Sequence, residues 1–73
     1  MNNKSAYLLA EVALEVASHL KDEHLKVSRA EWRQMVVNRA IYIIDTEYID
    51  DATTDIDEIV AGAMWGKPYN ETT

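Results

Sequence analysis

Chain-breaking residues are scarce in this protein, which contains only two glycines and one proline among its 73 residues. Three segments repeat apolar residues at the 3.6-residue spacing of an α-helix, and little in the chain would interrupt them. Apolar residues make up 48% of the sequence, which is normal for a folded domain and too high for intrinsic disorder. These features predict an all-α fold, a small single domain of about three helices.

The first helix is predicted to run from Ser5 to about Lys21. Its apolar residues, among them Leu9, Val12 and Val16, recur on one face, while glutamates lie on the opposite face. The segment that follows, KDEHLKVS at 21–28, loses this pattern and is predicted to be a loop.

The second helix has the clearest predicted start. Ser28 and Glu31 have the spacing of a capping box, in which each side chain binds the backbone N–H of the other residue. The helix is predicted to continue through Tyr48, although the run VVNRAIYII would also suit a buried strand. It is apolar on two adjacent faces, so it should either lie at the centre of the fold or expose one face to a partner. The exposed face would also allow a homodimer.

The third helix is predicted to begin near Thr54 or Asp55, because these residues can cap a helix and acids in its first turn suit the helix dipole. Gly66 has the position of a C-terminal cap, and Pro68 cannot continue a helix. The chain is therefore divided into a helical domain of residues 1–66 and a flexible C-terminal tail of residues 67–73.

Negative charge is concentrated in one half of the chain. The net charge is −6, and residues 40–66 hold seven carboxylates without any Lys or Arg. This segment is either a solvated edge or a docking surface for a basic partner, since clustered like charge costs stability but speeds association. A calcium loop is not indicated, because the D-x-D-x-D-G pattern is missing. The carboxylates are Asp45, Glu47, Asp50, Asp51, Asp55, Asp57 and Glu58.

Three arginines on the second helix, Arg29, Arg33 and Arg39, allow an alternative function. Together with the preceding segment they loosely resemble the second helix of a DNA-binding helix-turn-helix. The negative net charge argues against nucleic acid as a direct ligand. A structural interpretation is that Arg29 and Arg33 pair with Glu31 or with the acidic segment.

No combination of residues suits catalysis or metal binding. A nucleophile, a base and an orienting group are not recognisable, and His19 and His24 lack the spacing of a zinc site on one helix. The chain contains no cysteine. We therefore predict no enzymatic activity, no cofactor and no metal. A cytoplasmic protein without membrane contact is expected, because neither a signal peptide nor a membrane-spanning run is recognisable.

Aromatic residues beside charge commonly anchor protein interfaces. Tyr48 lies within the acidic segment, and Trp65 lies at the end of the third helix. The candidate partner-binding residues are Asp45, Glu47, Tyr48, Asp50, Asp51, Asp55, Trp65, Arg29 and Arg33.

In its length and in the stretch SRAEWRQMVVNRAIYIIDTEYIDDATTDIDE, the chain resembles small phage-encoded regulators that bind host bacterial RNA polymerase. The resemblance covers the whole chain but includes no diagnostic motif, so it assigns no contact residue. It implies a polymerase subunit as partner, inhibition of initiation, promotion of antitermination, and a location in the host bacterial cell. Two alternatives stay open: a helix-turn-helix DNA-binding regulator, and an antitoxin-like module that masks one cognate protein.

Overall fold

The computed structural model describes residues 3–65, which form three α-helices and one short 3-10 helix. Helix α1 spans Asn3–His19, α2 spans Arg29–Thr46 and α3 spans Ile56–Trp65. Since no strand occurs in the described range, the all-α prediction is confirmed and the strand alternative for α2 is wrong. The predicted Gly66 cap and the tail at 67–73 lie outside the described residues.

The prediction of a loop at 21–28 was wrong for its first five residues. Lys21–Leu25 form a 3-10 helix, in which backbone hydrogen bonds join residues three apart, as from Glu23 N–H to the Leu20 carbonyl at 3.0 Å. Such short, tight helices bury no stripe with a 3.6-residue period, so a search for α-helical periodicity does not detect them.

Helix α1 is the central helix, and both α2 and α3 pack against it. Two indole groups define one end of the molecule. Trp32 Nε1 donates a hydrogen bond to the Leu20 carbonyl at 2.7 Å, and Trp65 Nε1 donates to His19 Nδ1 at 2.9 Å. The C-termini of α1 and α3 therefore meet the N-terminus of α2 at this indole end, so α2 runs antiparallel to the other two helices.

The hydrophobic core lies where the three helices meet. Val12 and Val16 of α1 are fully buried, and each neighbouring helix contributes buried aliphatic side chains to the same cluster. Ile49, in the connection between α2 and α3, is also buried and closes the core at the end opposite the indoles. The remaining core residues are Val36, Ala40, Ile43, Ile56 and Val60.

The predicted capping box at the start of α2 is confirmed. The Glu31 backbone N–H donates to Ser28 Oγ, and the Ser28 backbone N–H donates to Glu31 Oε1, both at 3.1 Å.

We predict that Ser28→Ala lowers the free energy of unfolding by about 1 kcal/mol, because it leaves a helix N–H without its partner. Urea denaturation followed by circular dichroism measures this loss. Ser18→Ala is the control, since the Ser18 hydroxyl only donates back to the Glu15 carbonyl within α1; an equal loss there would contradict the capping account.

Candidate protein-docking surface

The chain reverses direction after α2 by a left-handed turn that places several carboxylates together. Glu47 N–H donates to the Ile43 carbonyl at 2.8 Å, and Ile49 N–H donates to the Ile44 carbonyl at 3.1 Å, which is the long bond of a Schellman motif. Buried Ile49 anchors this turn. Beside it, exposed carboxylates from the end of α2, the loop and the start of α3 form what we call the acidic end: Asp45, Glu47, Asp50, Asp51 and Asp55.

Tyr48 occupies the most unusual backbone position in the described part of the chain. Its φ is 55°, whereas such left-handed positions normally hold glycine or asparagine, and its side chain is 87% exposed. This conformation ends α2 at Thr46, two residues earlier than predicted. A bulky exposed aromatic at a strained position is a candidate for contact with another molecule.

We predict that Tyr48→Gly raises the free energy of unfolding by about 0.5–1 kcal/mol, because glycine adopts positive φ without a steric cost. Thr46→Gly should instead lower it by a similar amount, since Thr46 is helical. Thermal and urea denaturation of both variants measures the difference. Destabilisation by Tyr48→Gly would show that the tyrosine side chain contributes to folding and was not retained for contact alone.

Asp50 has a structural role within the loop. Its Oδ1 accepts hydrogen bonds from the Ala52 N–H at 2.9 Å and from Thr53 Oγ1 at 3.3 Å, while its own N–H donates to Thr53 Oγ1 at 3.0 Å. This network fixes the turn between α2 and α3. A substitution of Asp50 would therefore alter the loop as well as the charge.

The acids at the start of α3 also have a structural explanation. Asp57 and Glu58 lie in its first turn, where negative charge is favoured by the positive end of the helix dipole. Ile59 N–H donates to the Asp55 carbonyl at 3.1 Å, so Asp55 has the N-cap position and Ile56 is the first helical residue. This agrees with the predicted start of α3 to within one residue.

Asp45 and Glu47 have no such explanation. They lie at the C-terminus of α2, where the helix dipole disfavours negative charge, and the last turn of α2 contains no basic residue. At the other end, the dipole disfavours Arg29 and favours Glu31, which share the first turn of α2. The unfavourable charge is therefore clearest at the C-terminus of α2, where Asp45 and Glu47 cost stability and are candidates for contact with a partner.

The interpretation that Arg29 and Arg33 pair with carboxylates is not supported. Within residues 3–65 no carboxylate lies within 4.0 Å of either guanidinium, and the ion pair found there joins Lys26 to Glu23 at 3.8 Å. Glu31 is engaged in the capping box, and Asp45 lies roughly 24 Å further along the helix axis than Arg29.

An apolar groove of about 430 Å³ adjoins the acidic end. Its walls come from the N-terminal half of α1 and the C-terminal half of α2, and Asp45 lies at its edge. Sequence periodicity placed Leu8 and Ile41 on separate helices but could not reveal that they share a groove. Its lining residues are Ser5, Leu8, Leu9, Ile41, Ile44, Asp45 and Tyr48.

Trp65 lies at the indole end, away from the acidic end. It is 62% exposed, and its ring meets that of His19 edge to face, with the ring centroids 5.8 Å apart. Arg29 and Arg33 lie near the N-terminus of α2, at the same end of the molecule. The nine predicted partner-binding residues therefore separate into an acidic group with Tyr48 and an indole-end group of Trp65, Arg29 and Arg33.

Metal binding and membrane insertion gain no support from residues 3–65. No set of three or more potential ligand side chains in this range converges on a point where a metal ion could bind. None of the described helices combines the length and apolar character needed to cross a bilayer.

The sequence matches no protein-family model, and no curated protein or solved structure matches it.

Proposed function

We propose that this protein is a non-enzymatic transcription regulator, encoded by a phage, that docks on host bacterial RNA polymerase. In this proposal it inhibits initiation and promotes antitermination. The observation that carries the proposal is the acidic end, where Asp45 and Glu47 oppose the helix dipole beside the exposed, strained Tyr48. The choice of polymerase as partner comes from the resemblance to phage regulators.

Charge at the acidic end suits a basic protein surface. Exposed carboxylates grouped at one end of a small molecule produce a directional field that steers a cationic partner and raises the association rate. Tyr48 adds a large apolar contact at the centre of these charges, as interface anchors commonly do. Polymerase surfaces that hold nucleic acid are basic, so they would offer the complementary charge.

Occupancy is the proposed mechanism. The helical domain would bind a polymerase subunit and cover a surface that promoter initiation or termination requires. No proton transfer or covalent step is involved, and the chain would act stoichiometrically in the host cytoplasm.

The DNA-binding alternative has less geometric support. A helix-turn-helix joins its helices by a turn of three or four residues, whereas residues 20–28 and 47–55 form connections of nine residues each. An antitoxin-like module would use the same acidic end, and it differs from a polymerase regulator only in the identity of its basic partner.

The test uses purified bacterial RNA polymerase, as core enzyme and as holoenzyme. We expect the protein to bind in a biolayer interferometry assay, to reduce single-round transcription from a promoter, and to increase read-through of an intrinsic terminator. Binding should weaken between about 50 mM and about 500 mM salt, because exposed charges are screened.

Tyr48→Asn and Tyr42→Asn are a matched pair for this assay. Both tyrosines are exposed, at 87% and 62%, but Tyr42 faces a second groove with Met35 and Arg39. Asparagine tolerates the positive φ of Tyr48, so this variant should fold. We expect weaker polymerase binding only for Tyr48→Asn. Absence of binding to both polymerase forms at low salt would contradict the proposed partner, and capture of one small basic protein from lysate would favour the antitoxin-like alternative.

A further inference from the structure

Helix α2 has an apolar face that α1 covers only along one edge. Val37, Ile41 and Ile44 follow one another at intervals of four and three residues, the spacing of a coiled-coil seam. Val37 is 37% exposed and Ile41 52%, while Ile44 is half-buried at the edge of the groove. The adjacent face, with Val36, Ala40 and Ile43, lies about 100° away around the helix and is the one buried in the core.

The charges beside this face are self-complementary. Arg33 precedes Ala40 by seven residues and Glu47 follows it by seven, which is nearly two helical turns in each direction. Arg33 and Glu47 therefore lie on the same side of α2, at the border of its core face, equally far from buried Ala40 and with opposite charge. Neither has an ion-pair partner within the described residues.

We propose that α2 of a second copy packs antiparallel on this face and forms a two-fold symmetric homodimer. With Ile41 of each copy next to Val37 of the other, the helices cross at the level of residue 39. Arg33 of each copy then faces Glu47 of the second copy, because antiparallel coiled coils bring equivalent flanks together. A closed two-fold interface of this kind pairs the same residues twice.

The antiparallel arrangement also reduces repulsion between two chains of net charge −6. The acidic end of each copy lies at the C-terminus of α2, so the two acidic ends point to opposite poles of the dimer. A parallel pair would place them side by side. Asp45 is two residues from Glu47 and so lies on the other flank of α2, outside the proposed ion pair. The inference does not depend on the proposed function, and its test contains no polymerase.

Sedimentation equilibrium over a concentration series tests the dimer. We expect the wild-type mass to approach twice the 8.3 kDa of one chain. Ile41→Lys places charge at the centre of the interface and should yield a monomer that keeps the wild-type circular dichroism spectrum. Tyr42→Lys is the control, because Tyr42, at 62% exposed, is at least as accessible as Ile41 but lies a further 100° around the helix. A wild-type monomer at every concentration would overturn the proposal, as would a dimer that persists in Ile41→Lys.

Charge exchange tests the register. Arg33→Glu and Glu47→Arg should each weaken the homodimer about tenfold, since both symmetric pairs become repulsive. Mixing these two variants should produce a heterodimer, in which an acidic chain faces a basic chain at both sites. Asp45→Arg makes the same charge change as Glu47→Arg on the other flank and should not form a heterodimer with Arg33→Glu. Failure of the first mixture to associate, or equal association of the second, would overturn the register.

Discussion

Replacing Ile43 with alanine should lower the free energy of unfolding by about 2–5 kcal/mol. Ile43 is 1% exposed and is among the largest fully buried side chains of the core, where α2 meets α1. A single core in a domain this small supplies only about 3–5 kcal/mol in total. We therefore expect Ile43→Ala to lose most of its cooperative thermal transition, measured by far-ultraviolet circular dichroism.

Leu14→Ala is the comparison for this variant. Leu14 lies on central α1 but is 72% exposed and lines neither groove. Its truncation should change stability by less than about 0.5 kcal/mol, as is usual for surface positions. Similar losses in both variants would mean that burial in the three-helix core does not decide stability, contrary to the described packing.

The double substitution Asp45→Lys, Glu47→Lys should act in opposite directions on stability and on binding. It replaces two charges that the dipole of α2 disfavours by two that the dipole favours, so the stability of the monomer should rise by about 0.5–2 kcal/mol. Under the proposed function, association with RNA polymerase should slow by about tenfold or more at low salt, because the steering field is lost. Urea denaturation and stopped-flow association kinetics measure the two effects.

The matched variant is Asp57→Lys, Glu58→Lys, which makes the same change in net charge within the first turn of α3. Because the positive end of the α3 dipole stabilises these acids, their replacement by lysine should destabilise the protein. Equal slowing of association by both variants would indicate that net charge alone governs binding. No slowing by the α2 variant would remove Asp45 and Glu47 from the docking surface.

Local signals predicted most of the helical structure. The Ser28–Glu31 capping box involves residues three apart, and the acids at the start of α3 act within one turn, so both could be predicted without knowledge of the fold. The 3-10 helix at Lys21–Leu25 was missed because it has no amphipathic period. The early end of α2 was missed because a tyrosine, and not a glycine, adopts the left-handed conformation at position 48.

The candidate site was predictable only in part. Asp45, Glu47 and Tyr48 are close in the sequence, and the structure keeps them together. Trp65 was grouped with them by residue type, but its bond to His19 spans 46 residues and places it at the indole end. The groove that brings Leu8 beside Ile41 likewise depends on contact between two helices, which periodicity does not encode.

The sequence by itself determined that this protein is helical, where α2 begins, and that its negative charge falls after residue 40, because these properties depend on residues within a few positions of one another. Only the tertiary structure decided that α1 is central and that, of the two apolar faces of α2, the one with Ile43 is buried and the one with Ile41 is exposed. Hydrophobic spacing shows which sides of a helix avoid water, but the packing of α1 decides which of them is covered.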